Sequence, residues 1–245
     1  MTQPVRTLIV VATYNERENL PELKEAIFRA VPDADLLVID DNSPDGTGQW
    51  CDEAARSNPR LRCLHRPAKL GLGTALVRGL QYAVDESYTY VVNLDADFSH
   101  DPQYLPVLLA GMEDDRTGPV DVMIGSRYVA GGGVEGWPRT RLWMSRTVNL
   151  FARTMLGLQV SDCSGSFRCY RVSALERVDL SQVRARGYAF FEEILWRLKR
   201  AGARFGETPI IFSDRQRGRS KINLREAASA LALIARLGVR NRLGL

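Results

Sequence analysis

Two aspartates one residue apart, Asp95 and Asp97, stand directly after an apolar run in the segment NLDADFSH (93–100). Carboxylates at this spacing repel each other unless a cation or hydrogen-bond donors offset the repulsion. Mg²⁺ and Mn²⁺ prefer oxygen ligands and are commonly held by one or two carboxylates together with substrate phosphates. A plainer interpretation is a solvated turn in which Asp101 caps a helix that starts at Pro102. The pair alone leaves both interpretations open.

Three further polar segments follow apolar β-branched runs, at residues 12–16 (ATYNE), 40–47 (DDNSPDGT) and 125–128 (GSRY). The segment 40–47 taken alone could be only a β-turn that leads into a helix. In a parallel sheet, however, ligands bind at the carboxyl ends of the strands, so all four polar segments are expected to meet at one edge. That position raises a metal at Asp95 and Asp97 to equal weight with the solvated turn.

The elements that must position these residues alternate between strand and helix, which is typical of an α/β fold with a mostly parallel sheet flanked by helices. A loop at 129–138 and a helix at 141–158 with arginines among large apolar residues come next. Predicted strands lie at 7–12, 36–39, 61–65, 90–94, 120–124, 166–170 and 204–211, and predicted helices at 18–31, 47–57, 74–86, 102–114, 141–158, 191–201 and 222–245.

Composition bounds the class of protein. The 245 residues carry a net charge of +4, with 19 basic and 24 acidic residues in 1–183 and 14 basic and 5 acidic residues in 184–245. No apolar stretch approaches the roughly 18 residues of a membrane span, and the N-terminus does not resemble a secretory signal. The four cysteines lack CxxC spacing, so we expect reduced thiols. Neither His65 nor His100 is expected to form a metal cluster with a cysteine, and no Ser-His-Asp arrangement is evident.

Nine segments in order resemble glycosyltransferase family 2, and within it the dolichol-phosphate or polyprenol-phosphate mannose synthases. The resemblance runs from about residue 5 to 225, and DADFSHDP with DRQRGRSK narrows it to this branch. The segments are ATYNE, VIDDNSPDGT, GLGTA, LDADFSHDP, GSRY, GW…R…S, DCSGSFRCYR, GYAFFEEIL and DRQRGRSK.

The resemblance implies a nucleotide-sugar-binding domain of GT-A type, Rossmann-like, over 1–225. Its nucleotide-binding half would span about 1–128 and its acceptor half about 129–225, and 226–245 would form a C-terminal amphipathic helix that packs on the core, lies on a membrane or docks a partner. The residues implied to bind the nucleotide sugar are Thr13, Tyr14, Glu16, Asp41, Asp95, Ala96, Asp97, Arg215 and Lys221.

The same resemblance implies a Mg²⁺ or Mn²⁺ ion on Asp95 and Asp97, with Ser99 as a further candidate ligand. Arg127, Arg141 and Ser145 match the group that holds the acceptor phosphate. The catalytic residues would then be Asp97, Arg127 and Arg141.

Other matches and departures concern the donor side. Ser220 matches, with Arg215 and Lys221, a basic loop over the donor phosphates, and Glu193 takes the acidic position of the GYxFxxE stretch. Ala12 replaces a proline that mainly fixes backbone. Ser99 stands where one branch of the family has a glutamine that helps to bind the metal. Ala189 replaces a lysine that reaches the donor, which leaves Lys221 or Arg217 as candidate substitutes.

The implied reaction is inverting, metal-dependent transfer of mannose from GDP-mannose to a polyprenyl phosphate. A phosphomonoester is largely dianionic at neutral pH, so the acceptor needs positive charge rather than a general base. We expect the protein on the cytosolic face of a membrane, with a separate anchoring subunit as one option. The same fold and acceptor with UDP-glucose or another nucleotide sugar is the alternative.

Two rival classes remain. The basic residues of 184–245 could form a nucleic-acid-binding module, but they interleave with apolar residues and do not form a stripe with stacking aromatics, so we expect no nucleic acid partner. A catalytically silent binding protein of the same fold would tolerate Asp97→Asn.

Overall fold

The structure, a computed structural model, describes residues 4–114, 118–214 and 224–243. The predicted site residues Arg215, Ser220 and Lys221, together with Arg217, lie outside the described residues. The elements of the first half are β1 (Thr7–Thr13), α1 (Leu20–Ala30), β2 (Asp35–Asp40), α2 (Thr47–Ser57), β3 (Leu61–His65), α3 (Leu72–Asp85), β4 (Tyr90–Asn93), α4 (Leu105–Ala110) and β5 (Val122–Ser126).

The second half adds a helix-rich layer and four strands. Its elements are β6 (Gly133–Glu135), α5 (Arg139–Leu156), β7 (Arg168–Arg171), α6 (Val172–Leu175), α7 (Phe190–Arg200), β8 (Phe205–Pro209), β9 (Ile211–Ser213) and α8 (Leu224–Arg242). Short 3₁₀ helices occupy Pro102–Tyr104, Gly111–Glu113 and Leu180–Gln182.

Seven strands form the main sheet in the order β3-β2-β1-β4-β7-β5-β8, and only β7 runs antiparallel to its neighbours. The prediction of a mostly parallel α/β sheet is confirmed. The chain leaves β1 toward β2 and β3 on one side and returns to β4 on the other. The crevice between the carboxyl ends of β1 and β4 is therefore the place where a ligand is expected.

The apolar runs of the strands are buried because helices cover both faces of the sheet. Leu8 and Val10 of β1 pack in one core, whereas Ile9 and Val11 pack in the other. α3 approaches β1 at Gly79, where an added Cβ would lie 2.5 Å from a methyl of Val10. A glycine is required at that contact, and it brings the start of α3 close to the crevice.

The structure differs from the sequence prediction at two places, a helix that is broken and a small sheet that was missed. The single helix predicted over 102–114 is broken into a 3₁₀ turn, the short α4 and a second 3₁₀ turn. Pro106 has no N–H to bond the carbonyl four residues earlier, so an α-helix from Pro102 cannot continue through it. The two-stranded sheet of β6 and β9 was not predicted, because strands of three residues leave almost no periodic signal.

Candidate active site

A cleft of about 120 Å³ opens between the carboxyl ends of β1 and β4. Every predicted donor-binding residue that the structure describes lines this cleft, which also includes residues that the sequence did not single out, Lys69 and Tyr188. The predicted members are Thr13, Tyr14, Glu16, Asp41, Asp95, Ala96 and Asp97. The topology thus gathers residues from four loops, and their roles toward a nucleotide sugar remain predictions.

Asp40 fixes the loops that follow β1 and β2. Its Oδ1 accepts hydrogen bonds from Thr13 Oγ1 at 3.0 Å and from Ser43 Oγ at 2.5 Å, and its Oδ2 accepts one from the Ser43 backbone N–H at 2.9 Å. Asn42 adopts a left-handed backbone with φ of 57°, a conformation that asparagine tolerates better than most residues. The loop is therefore held by its own side chains.

Asp41, the predicted nucleoside-contacting carboxylate, is buried and also holds a neighbouring loop. Its Oδ1 forms an ion pair with Arg66 Nη1 at 2.7 Å, and its Oδ2 accepts from the Leu70 and Gly71 backbone N–H groups at 3.1 and 3.3 Å. Gly71 has φ of 103°, so this glycine forms the tight turn that leads into α3.

Lys69 belongs to the turn that Asp41 holds and places a positive charge at the cleft. Its Nζ lies 4.1 Å from the centre of the Tyr14 ring. The lysine expected from the resemblance at position 189 is a buried alanine at the start of α7. Lys69 is thus a described cation of the donor cleft, and sequence matching overlooked it because it lies at a different position.

Asp95 and Asp97 lie in the loop after β4. The side chain of Asp95 is 29% exposed, whereas Asp97 is buried with its Oδ1 accepting from the Ser99 backbone N–H at 3.1 Å. Phe98, which lies between Asp97 and Ser99, has φ of 60°, a strained conformation for a bulky residue. Asp101 accepts a hydrogen bond from the Gln103 backbone N–H at 2.8 Å, so its predicted capping role is confirmed.

His100 lies directly behind the two aspartates. Its ring is buried between Phe167 and Phe212, with centroid distances of 5.3 and 5.1 Å. Burial, together with the nearby Arg127 charge, lowers the pKa of His100 to about 3, so the imidazole is neutral near pH 7. Its Nδ1 lies 3.6 Å from Asp95 Oδ2 and makes no hydrogen bond within the described residues. A neutral nitrogen is therefore available beside the carboxylates.

Arg127, predicted to bind the acceptor phosphate, is buried against Asp162. Its Nε and Nη2 each donate to that carboxylate at 2.7 Å, and Nη2 also donates to Ser164 Oγ at 3.0 Å. Burial opposes the charge of Arg127, but the Asp162 carboxylate outweighs it and raises the pKa of the guanidinium. Burial likewise opposes ionisation of Asp162, yet Arg127 holds the pKa of that carboxyl below its usual range.

The other two predicted acceptor residues lie on α5. Arg141 Nη1 pairs with Asp214 Oδ1 at 3.1 Å, and its guanidinium lies 4.0 Å from the centre of the Trp137 ring. Ser145 Oγ and the Tyr128 hydroxyl are 2.7 Å apart. The side chains of Arg141 and Asp214 are 36% and 38% exposed, so this pair is open to solvent, in contrast to the buried pair of Arg127.

The two glutamates of α7 differ in their surroundings. Glu193 accepts from the backbone N–H groups of Arg184 and Ala185 and pairs with Arg197 at 2.7 Å. Glu192 is buried, and its Oε2 has no hydrogen-bond partner within the described residues. Burial raises the pKa of Glu192 to about 7. The acidic position matched by Glu193 is thus an anchor for 184–185.

The prediction that neither histidine meets a cysteine was wrong for His65. Cys63 and His65 are two residues apart on β3, so both point to the sheet face that α2 covers. One ligand atom each from Asp52, Cys63 and His65 lies within 4.8 Å of the others, and His65 Nε2 is 2.8 Å from Asp52 Oδ1. All four cysteines are free thiols, as expected.

The model of the family described as "Glycosyl transferase family 2" matches residues 8–179. The chain belongs to glycosyl transferase family 2. Two relatives of this family member are the polyprenol monophosphomannose synthase of Mycolicibacterium smegmatis, 41% identical over 97% of this chain and 89% of that protein, and the undecaprenyl-phosphate mannosyltransferase of Micrococcus luteus, 40% identical over 98% of this chain and 100% of that protein.

Solved structures support the fold of this family 2 enzyme. Glucosyl-3-phosphoglycerate synthase from Mycobacterium tuberculosis, in complex with Mn²⁺, UDP and glucosyl-3-phosphoglycerate, superposes with a TM-score of 0.65 at 20% identity over 98% of this chain and 81% of that one. Its complex with phosphoglyceric acid gives a TM-score of 0.67 at 18% identity over 97% and 80%. Across 4–114, 118–214 and 224–243, no helix has the length and apolar character to cross a bilayer.

Proposed function

We propose that this enzyme transfers mannose from GDP-mannose to a polyprenyl phosphate with inversion, using Mg²⁺ or Mn²⁺, at the cytosolic surface of a membrane. The names of the two relatives near 40% identity support the sugar and the acceptor. The observation that carries the proposal is the cleft at the carboxyl ends of β1 and β4, where Asp95 and Asp97 lie together with Tyr14, Glu16 and Asp41.

The residues of the loop after β4 fit a divalent cation. Asp95 and Asp97 offer carboxylate oxygens at the cleft, and Mg²⁺ and Mn²⁺ favour such oxygens. When bound, such an ion neutralises charge that develops on the leaving diphosphate.

Arginine side chains replace a general base in the proposed transfer. The phosphate of the acceptor is its own nucleophile, so the protein must offset the repulsion between this phosphate and the anionic donor. Asp162 holds Arg127 through Nε and Nη2, and Nη1 donates to no residue of the described ranges. Asp162 therefore orients the Arg127 guanidinium so that its remaining N–H groups can bind phosphate. The Arg141–Asp214 pair is more exposed, so Arg141 can exchange its carboxylate partner for a phosphate more readily.

The proposed membrane contact rests on apolar side chains that α5 and α8 leave in solvent. Trp143, Met144 and Leu150 of α5 are 76%, 69% and 61% exposed. Leu231 and Val239 of α8 are 42% and 53% exposed, and α5 and α8 pack together. A surface of this kind suits an interfacial position, with an anchoring subunit as a second way to cover it.

A donor panel tests the proposal. The purified enzyme is incubated with a short polyprenyl phosphate and radiolabelled GDP-mannose, UDP-glucose or UDP-GlcNAc, with Mg²⁺, Mn²⁺ or a chelator. We expect lipid-linked label from GDP-mannose only, and only with metal. Label from UDP-glucose instead would establish the alternative donor. Label that persists in chelator would remove the metal from the proposal.

A further inference from the structure

A second cleft, of about 400 Å³, lies between the end of α7, the segment 177–184 and α8, and shares no lining residue with the donor cleft. Five arginines define this arginine cleft, and none of the described residues that line it is acidic. They are Arg177, Arg184, Arg197, Arg200 and Arg240.

The charges of the arginine cleft surround one aromatic ring. The guanidinium carbons of Arg197, Arg200 and Arg240 lie 5.9, 5.1 and 5.9 Å from the centre of the Trp196 ring, which is buried. The Trp196 indole donates to Asn241 Oδ1 at 3.3 Å, which ties α7 to α8 at the wall of the cleft. Three cations are thus held around a fixed hydrophobic floor.

Glu193 and Asp121, which lie outside the lining, form ion pairs with Arg197 at 2.7 Å and with Arg177 at 2.9 Å and offset part of the positive charge. Guanidinium groups that share one concave surface repel one another where carboxylates do not offset their charge, and a ligand that carries several anionic oxygens relieves that repulsion. Planar guanidinium forks bind phosphate oxygens with paired hydrogen bonds, so phosphate is the anion that this geometry suits.

We propose that the arginine cleft is a binding site for a phosphate-bearing anion, separate from the donor and acceptor sites. The exposed Val239 precedes Arg240 on α8, and Leu243 is 66% exposed beyond it. Apolar side chains next to the cleft favour the head group of an anionic phospholipid over free phosphate. The lipid source rests on the proposed membrane contact, whereas the anion site itself does not depend on the sugar or the acceptor.

The Trp196 indole N–H gives a local readout that does not depend on activity. The full chain is labelled with ¹⁵N, the four tryptophan indole signals are recorded in a chelator, and Trp196→Phe assigns the signal of interest. Inorganic phosphate, dihexanoyl-phosphatidylglycerol and the zwitterionic dihexanoyl-phosphatidylcholine are titrated at constant ionic strength below micelle formation. We expect saturable shifts at Trp196 with phosphatidylglycerol and little change at Trp50.

Matched charge removal separates a site from general basicity. Arg200→Gln with Arg240→Gln removes two cleft charges, and Arg236→Gln with Arg242→Gln removes two exposed charges from α8 outside the lining. We expect the first pair to weaken binding by about tenfold or more and the second by less than about threefold, because only the first removes direct contacts. Arg197 is left intact because its partner Glu193 anchors 184–185.

Each outcome decides between sources or rejects the site. Shifts with phosphatidylglycerol alone support a lipid head group, and equal shifts with inorganic phosphate support a free phosphate ligand. Absence of a saturable Trp196 shift with either probe overturns the proposal. Equal losses in the two arginine pairs overturn it as well, since they would indicate net charge rather than a cleft.

Discussion

In the donor cleft, polar groups that follow neighbouring strands are held by neutral side chains, by backbone donors and, at Asp41, also by the Arg66 guanidinium. Asp40 binds Thr13 and Ser43, and Asp41 binds the backbone of the turn at 70–71 as well as Arg66. On the acceptor side, by contrast, each predicted phosphate-binding arginine meets a carboxylate from a distant segment. Arg127 pairs with Asp162, and Arg141 pairs with Asp214.

This difference indicates two ways to prepare a site for anions. The donor loops are fixed in shape before a ligand arrives, so binding there need not order them. The predicted acceptor cations, Arg127 and Arg141, are paired with carboxylates in advance, so a phosphate that binds there would share or displace a carboxylate. Burial decides which of these occurs, because the Arg127 pair is buried whereas the Arg141 pair is more than one-third exposed.

The largest effect is expected from breaking the buried pair. Asp162→Asn keeps the shape of the side chain but leaves the Arg127 charge without its partner, which should lower the free energy of unfolding by about 3 to 5 kcal/mol. Urea unfolding of both proteins at constant pH measures this loss in the free energy of unfolding. Asp179→Asn, at an exposed cap, should change stability far less. A small effect at Asp162 would mean that the fold does not require the pair.

On the donor side, Asp97→Asn should affect turnover more than stability. Loss of one charge at the metal position should lower kcat about 10²- to 10³-fold with GDP-mannose, since it removes stabilisation of the leaving diphosphate. Asp101→Asn is the control, because Asp101 caps the turn at Pro102–Tyr104 and does not line the cleft. Retained turnover in Asp97→Asn would instead indicate a different metal position.

One buried carboxyl, Glu192 of α7, has no ion-pair partner among the described residues and allows a pH test. The pKa of Glu192 is about 7 in the folded chain, against an ordinary value of 4.5, so the folded state binds more protons between these values. The contribution of Glu192 to the free energy of unfolding is fully present below about pH 4.5. It decreases by about 3 kcal/mol as the pH rises to 7.

Glu192→Gln removes this titration. The free energy of unfolding of this variant, relative to that of the unchanged protein, should increase as the pH rises from 4.5 to 7.5. Urea unfolding at several pH values measures this change. The exposed substitution Glu176→Gln should show no such trend. A difference between Glu192→Gln and the parent that stays constant with pH would show that Glu192 is ionised in the folded protein throughout.

The same comparison explains what the sequence could predict. Thr13, Asp41 and Asp97 follow parallel strands, and the rule that such strand ends share one edge placed them together before any coordinates were known. Asp162 and Asp214 were missed because pairing across 35 and 73 positions leaves no local pattern. Lys69 was missed for a related reason, since only the turn held by Asp41 brings it to Tyr14.

Period-two alternation could have found one further cluster. Cys63 and His65 share a strand face by spacing alone, but their approach to Asp52 depends on how α2 packs on β3. The packing of helices on a sheet is set by many side chains together, as at Gly79 against Val10. Strand order and strand ends are therefore more predictable than helix-to-strand contacts.

The exposed arginine pair gives the smallest and most specific expected effect. Arg141→Ala should raise the KM for the polyprenyl phosphate about tenfold with little change in the KM for GDP-mannose, because it removes one contact to a phosphate at a partly exposed site. Arg139→Ala, an exposed arginine at the start of the same helix, is the matched control.

Asp214→Asn should act in the opposite direction and lower the acceptor KM about two- to threefold, since the phosphate then has less charge to displace. Steady-state kinetics with both substrates varied distinguish these cases. If Arg141→Ala raises both KM values equally, Arg141 acts on the whole site, and the distinction between a fixed donor cleft and exchangeable acceptor cations fails at this residue.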